Sequence, residues 1–321
     1  MRLHADAPLT TSPPASRFQP VSFDSSDLFP VIQPDFTRDA EETNHRLRRM
    51  FDELQGSPPS LLEAMRYSVE GGGKRLRPLL VLWTCDAVQG DRARAWPAAL
   101  AIELVHAFSL VHDDLPAIDN DDLRRGRPTT HARFGEALAI LTGDALLAHA
   151  FTLLSTAGLE PRIVGALIAE LSTAAGPAGL IGGEVADIEG ERLPPDADRV
   201  HLIHTAKTAR LIQAACRMGS IAGEASANQM RALSEYGHQI GLAFQATDDL
   251  LDVQGSGAEL GKRAGKDAAA GKQTYPRAVG LEAAAQIVQD TTARAIDALA
   301  PLEAAGAKLA NLARWVARRT S

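Results

Sequence analysis

Residues 97–122 read PAALAIELVHAFSLVHDDLPAIDNDD and join a long apolar segment to a dense run of carboxylates. Residues 97–111 are apolar except for three polar side chains, Glu103, His106 and Ser109. A helix that is apolar on all sides is either buried in a large protein or spans a membrane. At this length, and with those polar residues, the segment predicts a buried central helix.

The first apolar segment ends in a cluster of carboxylates, formed by Asp113, Asp114, Asp119, Asp121 and Asp122. On an ideal helix Asp113 and Asp119 point about 120° apart. Pro116 lies between them and predicts that the helix is disrupted and that Asp119 swings back. A solvated acidic helix end explains such a cluster when it occurs alone.

A second apolar stretch, Ile240 to Val253, has the same organisation near the other end of the chain. It contains Asp248, Asp249 and Asp252. Asp248 and Asp252 are four residues apart, so they share a helix face and repel each other. Carboxylates beside an apolar segment must also be desolvated. Two such clusters, each at the end of a buried helix, favour a bound cation over two solvated helix ends.

The residue types narrow the identity of this cation. A calcium loop is excluded, because Leu123 and Arg124 stand where such a loop needs a ligand and a glycine. Zinc is disfavoured, because Cys85 and Cys216 are the only cysteines and paired histidine ligands are missing. Carboxylate oxygens with few protein ligands suit Mg²⁺, whose coordination is usually completed by water and substrate phosphates.

Three basic runs accompany these features. Their members are Lys74, Arg75 and Arg77; Arg124, Arg125 and Arg127; and Lys262, Arg263, Lys266 and Lys272. Arginine binds phosphate in a bidentate manner, and lysine adds a point charge. A nucleotide P-loop is excluded, because Ser68 and Ser256 stand where its first glycine is required. A basic run is usually a solvated surface, but three runs beside acidic clusters predict a metal-bound diphosphate with a hydrocarbon tail in the apolar interior.

The charge and composition of the whole chain bear on nucleic-acid binding, on membrane contact and on the cellular setting. Its 33 Lys and Arg residues and 40 Asp and Glu residues give a net charge of −7, which disfavours nucleic-acid binding. No uninterrupted apolar stretch reaches the roughly 20 residues of a membrane span, so we expect no integral membrane contact. The two cysteines and the lack of a signal-peptide core predict a reducing, cytoplasmic setting.

Residues 1–34 contain six of the 18 prolines and predict a disordered tail, and residues 35–321 predict one large all-α domain. We expect a single helical bundle with a central apolar cavity. The segments that suit one helix or a helical pair are 40–55, 59–70, 76–89, 95–115, 133–156, 160–175, 198–224, 227–253 and 281–317.

Several motifs resemble those of the trans-polyprenyl diphosphate synthases, and most closely the bacterial farnesyl diphosphate synthases. They are GGKRLRP at 72–78, DDLPAIDNDDLRRG at 113–126, GEALAILTGDALL at 135–147, KTARLI at 207–212, GLAFQATDDLLDV at 241–253 and LGKRAGKD at 260–267. The resemblance covers about residues 40–320. It implies the isoprenoid synthase fold, a homodimer, and Mg²⁺-dependent condensation of isopentenyl diphosphate with dimethylallyl and geranyl diphosphate to give farnesyl diphosphate.

The resemblance also implies roles for individual residues. Isopentenyl diphosphate would be held by Lys74, Arg77, His106 and Arg125. The allylic diphosphate would be held by Arg124, Lys207, Thr208, Gln245 and Lys262. Its leaving group would be bound through Mg²⁺, three ions in all, by Asp113, Asp119 and Asp248. The allylic cation would be stabilised by the carbonyl of Lys207, the hydroxyl of Thr208 and the amide of Gln245. Product length would be limited by Phe108 and Ser109.

Three features depart from the family pattern. Glu184 stands where the family usually has glutamine, Thr247 precedes the second acidic cluster where close relatives often have glutamine, and the tail 1–34 is extra. The alternatives are a geranylgeranyl or geranyl diphosphate synthase of the same fold, or a non-catalytic partner subunit. A class I terpene cyclase fits less well, because a cyclase does not need the isopentenyl site.

Overall fold

The computed structural model describes residues 36–254 and 271–319, and most of them belong to helices joined by short connections. The predicted all-α class is therefore confirmed. The predicted tail 1–34 and Lys262 lie outside the described residues. The longer helices are α1 (Thr37–Glu53), α2 (Pro59–Glu70), α3 (Leu76–Ala87), α4 (Arg92–Asp113), α6 (Glu136–Ser155), α7 (Pro161–Ala175), α8 (Leu180–Gly190), α10 (Arg210–Ala222), α11 (Ala227–Gln254), α13 (Leu281–Ala298) and α14 (Ala307–Arg318), and the shorter ones are α5 (Thr130–Phe134), α9 (Ala197–Ile203) and α12 (Tyr275–Val279).

Helix α4 lies at the centre of the bundle, as residues 97–111 predicted. It packs against α3, α6 and α10, and Leu104 and Val105 are fully buried. Burying side chains of this size contributes roughly 1.5–3 kcal/mol each. Asp91 caps the helix by accepting a hydrogen bond from the backbone N–H of Ala93 at 2.9 Å. The apolar helix therefore holds its last residue, Asp113, at a fixed place at one end of the bundle.

Several helical elements were not predicted from the sequence. Helices α5 and α12 have only five residues each, and α8 contains the pair Gly182-Gly183, which has poor helix propensity. Between α9 and α10, residues His204–Ala209 form a π-helical turn. The predicted segment 281–317 is divided by a 3₁₀-helix, Ala300–Gly306, in which Glu303 has a left-handed φ of 48°.

A short antiparallel hairpin follows α4. Strand β1 (Leu123–Arg124) pairs with β2 (Arg127–Pro128), so that Arg124 lies opposite Arg127. The two residues between the strands, Arg125 and Gly126, both have positive φ, 53° and 72°. This is the backbone that a tight two-residue hairpin requires. The hairpin places three arginines, Arg124, Arg125 and Arg127, close to the end of α4.

Three helical segments are long and apolar enough to cross a membrane by length and composition alone, although none of them is an uninterrupted apolar run. They are Arg92–Asp113, Glu136–Ser155 and Pro161–Gly190. The expectation counted uninterrupted apolar runs, whereas these windows contain isolated polar or charged residues. The first is 72% buried inside the bundle, but the other two are only 33% and 39% buried and leave apolar side chains at the surface.

Candidate active site

The backbone of the loop before α3 contacts a basic side chain from the hairpin. Arg125 donates a hydrogen bond to the carbonyl of Gly72. Gly72 and Gly73 have φ of 87° and 124°, and a Cβ at Gly73 would lie 2.6 Å from the guanidinium of Arg125. Glycine is therefore favoured here by the backbone conformation, and the missing side chain leaves room for the guanidinium of Arg125.

His106, on α4, lies among positive charges that come from other elements. Burial, and then the guanidinium groups of Arg77 and Arg125, lower its pKa well below the ordinary value, so the imidazole is neutral at pH 7. Burial also lowers the pKa of Arg77 to about 10, which leaves that side chain charged. Its Nε makes no hydrogen bond within the protein. These groups form a basic pocket suited to an anion.

Arg75 belongs to the same basic run but has a structural role. It is buried, and it donates to Glu103 at 2.6 Å and to the carbonyl of Val69 at 2.7 Å. This ion pair accounts for Glu103, one of the three polar residues in the apolar segment of α4. Arg75 has a positive φ of 52° and is the residue just before the start of α3.

The first acidic cluster turns back on itself, as Pro116 predicted. Helix α4 ends at Asp113, and the N–H of Asp119 donates to the carbonyl of Asp113 at 2.8 Å. Asp114 is buried, and its two oxygens accept hydrogen bonds from Arg124, Oδ2 at 3.0 Å from Nε and Oδ1 at 2.6 Å from Nη2. This bidentate pair fixes the guanidinium of Arg124 beside Asp113.

Two lysines connect the first cluster to α8. Lys207 Nζ lies 2.6 Å from Asp187 and 2.7 Å from Glu184. Lys272 Nζ lies 3.0 Å from Asp119, 3.1 Å from Asp187 and 3.2 Å from Glu191. Both lysines have a raised pKa, because the nearby carboxylates outweigh the effect of burial. We call these six residues, together with Asp113, the carboxylate–lysine cluster. Asp113 belongs to it because its charge interacts with those of Glu184 and Lys207.

Sequence reasoning gave no role in the site to Asp187 or Glu191, and it named Lys272 only as a member of the third basic run. The signal for their position lies in the glycine pair of α8. A Cβ at Gly183 would lie 2.2 Å from the backbone nitrogen of Lys207, so glycine allows α8 to pack closely against the π-helical turn. This close packing places the acidic face of α8 beside Lys207.

The second acidic cluster divides into two different environments. Asp248 on α11 accepts a 2.5 Å hydrogen bond from Arg319 and lies near Lys74, whose ammonium is 4.8 Å from the ring centroid of Trp315. Asp249 is buried and accepts a 2.9 Å hydrogen bond from the N–H of Tyr275. Asp249 therefore holds the start of α12, and Asp248 is the member that faces the basic residues.

The acidic residues of the site bear on metal binding. Within residues 36–254 and 271–319, no three His, Cys, Asp or Glu side chains form a ready-made metal site. In the carboxylate–lysine cluster, however, five carboxylates surround two ammonium groups. Burial, followed by the charge of Glu184, raises the pKa of Asp113 well above its ordinary value. An excess of carboxylate oxygens of this kind fits Mg²⁺, which needs few protein ligands when phosphates complete its coordination.

The remaining predicted residues lie on the helices around this cluster. Thr208 donates to the amide oxygen of Gln245 at 2.8 Å, which joins the π-helical turn to α11. Phe108 and Ser109 are buried on α4, with 5% and 7% of their surface exposed. The ring of Phe108 packs edge-on against His112, with 5.2 Å between ring centroids.

Comparison with known proteins identifies the family. The family model described as polyprenyl synthetase matches residues 58–305. The chain belongs to the polyprenyl synthetase family. Its helices also superpose on the geranylgeranyl pyrophosphate synthetase of Pyrococcus horikoshii with a TM-score of 0.81, at 31% identity, over 88% of this chain and 98% of that one. The predicted isoprenoid synthase fold is thereby confirmed.

Relatives in this polyprenyl synthetase family include enzymes with different products. The chain is 44% identical to the farnesyl diphosphate synthase of Geobacillus stearothermophilus, over 85% of this chain and 93% of the relative. It is also 44% identical to putative geranylgeranyl pyrophosphate synthase 8, chloroplastic, of Arabidopsis thaliana, over 88% and 80%. The FPP/GFPP synthase of Zymomonas mobilis superposes with a TM-score of 0.77 at 37% identity, over 87% and 97%. The protein is a prenyltransferase that elongates isoprenoid diphosphates.

Proposed function

We propose that this enzyme condenses isopentenyl diphosphate with dimethylallyl and then geranyl diphosphate, and releases farnesyl diphosphate. One observation carries the proposal. The basic pocket around His106 and the carboxylate–lysine cluster at Asp113 lie two helical turns apart on α4. Two diphosphates bound at these places bring the double bond of one substrate towards the allylic carbon of the other.

The residues of the chain supply most of the chemistry. Lys207 and Lys272, together with Arg124, stabilise negative charge on the allylic diphosphate as its C–O bond breaks. The hydroxyl of Thr208 and the amide of Gln245, which are hydrogen-bonded to each other, stabilise the allylic cation in this proposal. The double bond of isopentenyl diphosphate then forms the new C–C bond, and a proton passes to the released diphosphate. Apolar side chains around α4 exclude water, which would otherwise capture the cation.

Mg²⁺ completes the site in this proposal. Asp113 and Asp119 would hold it on one side, and Asp248 on the other. When bound, the metal supplies further electrostatic stabilisation of the leaving diphosphate. Arg124 stays fixed by its bidentate contact with Asp114, so it contributes a hydrogen-bond donor of constant orientation.

Phe108 supports a fifteen-carbon product. It is buried on α4 five residues before Asp113, which is roughly 7–8 Å along the helix axis. A tail that grows inward from the diphosphate meets its ring at that depth. The second candidate is a geranylgeranyl diphosphate synthase, and the 44% identity to the Arabidopsis relative supports it as much as the equal identity to the Geobacillus enzyme supports the first.

A homodimer in the cytoplasm is part of the same proposal. Helix α6 exposes Ile140 and Leu141, at 44% and 57% of their surface, on a segment that is only 33% buried. A second copy of the chain that packs on this surface would cover it without a membrane.

The test is product analysis. Purified enzyme is incubated with Mg²⁺, radiolabelled isopentenyl diphosphate and one allylic primer at a time, and product length is read by chromatography. The proposal expects farnesyl diphosphate from dimethylallyl and geranyl primers, and little elongation of a farnesyl primer. Efficient conversion of farnesyl diphosphate to a twenty-carbon product would establish the second candidate, and activity without any divalent cation would refute the metal role.

A further inference from the structure

Tyr67, on α2, holds the arginine hairpin through several contacts. Its hydroxyl donates to the carbonyl of Pro128 on β2 at 2.6 Å. The guanidinium of Arg127, also on β2, lies 4.4 Å from the centroid of the tyrosine ring. The guanidinium of Arg133, on α5, lies 4.3 Å from the same centroid. One aromatic side chain therefore connects α2 to β2 and to the helix that follows it.

The contacts of Tyr67 matter because the hairpin is not backed by closely packed side chains. A cavity of about 50 Å³ lies between α2, α4 and the hairpin, and Tyr67, Arg125 and Thr129 are among the residues that line it. The hydroxyl of Thr129 is buried there without a hydrogen-bond partner. Since the cavity offers no packing, the position of β2 depends on a small number of directed contacts.

Two of the three arginines of the hairpin, Arg124 and Arg125, are held in different ways. Arg124 has its own anchor in the bidentate contact with Asp114. Arg125 lies in the turn with a φ of 53°, a conformation that disfavours a residue with a side chain. Its guanidinium donates to the carbonyl of Gly72, in the loop that follows α2. The contact between Tyr67 and β2 restrains the strand next to the turn.

We infer that Tyr67 is a positioning residue that sets the affinity for isopentenyl diphosphate by holding Arg125 against the glycine loop. The inference rests on the proposed function, in which Arg125 binds this substrate. It assigns Tyr67 no contact with either substrate. Because Arg124 is anchored independently, the effect is selective for isopentenyl diphosphate over the allylic substrate.

The experiment compares Tyr67→Phe and Tyr67→Leu with wild-type enzyme by steady-state kinetics for each substrate. Tyr67→Phe removes one hydrogen bond and is expected to raise the KM for isopentenyl diphosphate about fivefold. Tyr67→Leu also removes both cation–π contacts and is expected to raise it more than tenfold. In both variants the KM for the allylic substrate and kcat are expected to stay within about twofold. Equal changes in both KM values, or no change in either, would overturn the inference.

Two controls separate the possible failures. Tyr236→Phe removes a similar bond, 2.8 Å long, from a buried tyrosine hydroxyl to the carbonyl of Leu309, and is expected to leave both KM values unchanged. Arg125→Ala tests the proposed function itself. If Arg125→Ala raises the KM for isopentenyl diphosphate while Tyr67→Leu does not, the inference about Tyr67 is wrong and the proposed site stands. If Arg125→Ala has no effect, the proposed site fails.

Discussion

The ammonium of Lys207 lies 2.7 Å from a carboxylate oxygen of Glu184. The same ammonium lies 2.6 Å from Asp187, so two carboxylates share one positive charge. In the proposed function Lys207 binds the allylic diphosphate, and Glu184 both competes for this lysine and repels the substrate. Glu184 therefore gives a direct test of the electrostatics of the site.

Glu184→Gln is expected to keep activity and to lower the KM for the allylic diphosphate. Two unit charges about 4 Å apart interact by about 1 kcal/mol in water and by more at a buried site, so we expect a change of about fivefold. The KM is measured for geranyl diphosphate at saturating isopentenyl diphosphate. Glu170→Gln, which affects a 2.7 Å ion pair with Arg217 elsewhere, is the control and is expected to have no effect. An unchanged KM in Glu184→Gln would show that the competition of Glu184 for Lys207 does not limit binding of the allylic diphosphate.

The three proposed metal ligands give a second prediction. Asp113→Ala, Asp119→Ala and Asp248→Ala are each expected to reduce kcat by orders of magnitude and to leave the helical content unchanged. Turnover is measured over a range of Mg²⁺ concentrations, and helical content by circular dichroism. Asp290→Ala, at an exposed position of α13, is the control. Near-normal turnover of any of the three variants would remove that residue from the metal site.

Parts of this site could be predicted from the sequence because they depend on local chemistry. The apolar helix up to Asp113 and the turn at Pro116 follow from residues that are neighbours in the chain. The contact between Lys272 and Asp187 joins residues 85 positions apart, so it depends on how α8 and the start of α12 meet in the fold. Local reasoning also grouped Asp249 with Asp248, whereas the structure gives it a buried structural contact with Tyr275.

Asp39 gives a prediction about stability and pH. It is buried, accepts a hydrogen bond from Trp83 at 2.7 Å, and pairs with Arg92 at 2.6 Å and Lys308 at 3.3 Å. Burial alone raises the pKa of Asp39, but the bond from Trp83 and the charges of Arg92 and Lys308 outweigh it and lower the pKa below 3.8. The stability that the carboxylate contributes is therefore fully present above the unfolded pKa, and is lost as pH falls through the folded pKa.

Asp39→Asn is accordingly expected to lower the Tm at pH 7 by about 4 °C, since charged hydrogen bonds contribute roughly 1.5–3 kcal/mol. The difference from wild type should shrink below about pH 4 and disappear at lower pH, where wild-type Asp39 is also neutral. Thermal unfolding is followed by circular dichroism across this range. Asp52→Asn, which affects an exposed ion pair with Arg66, is expected to change the Tm little at any pH. A Tm difference that is independent of pH would contradict the charge argument.

The last prediction concerns product length and depends on Phe108. The plant and bacterial relatives have the same 44% identity to this chain, so overall similarity does not decide between fifteen and twenty carbons.

Two roles for Phe108 predict different outcomes of Phe108→Ala. If its ring is the floor of the tail cavity, the variant stays active and its products shift from fifteen carbons towards twenty or more. If the ring is only a core side chain, packed edge-on against His112, the variant loses roughly 3–5 kcal/mol of stability with product length unchanged. Products are analysed by chromatography and stability by thermal unfolding of the same preparation.

His112 lies against Gly143, where a Cβ would be 2.1 Å from its Nε2, so the packing behind Phe108 has little freedom to close the space that alanine creates. We therefore expect the space to be filled by the growing tail, and a stable variant that still stops at farnesyl diphosphate would refute the assignment of Phe108 as the floor.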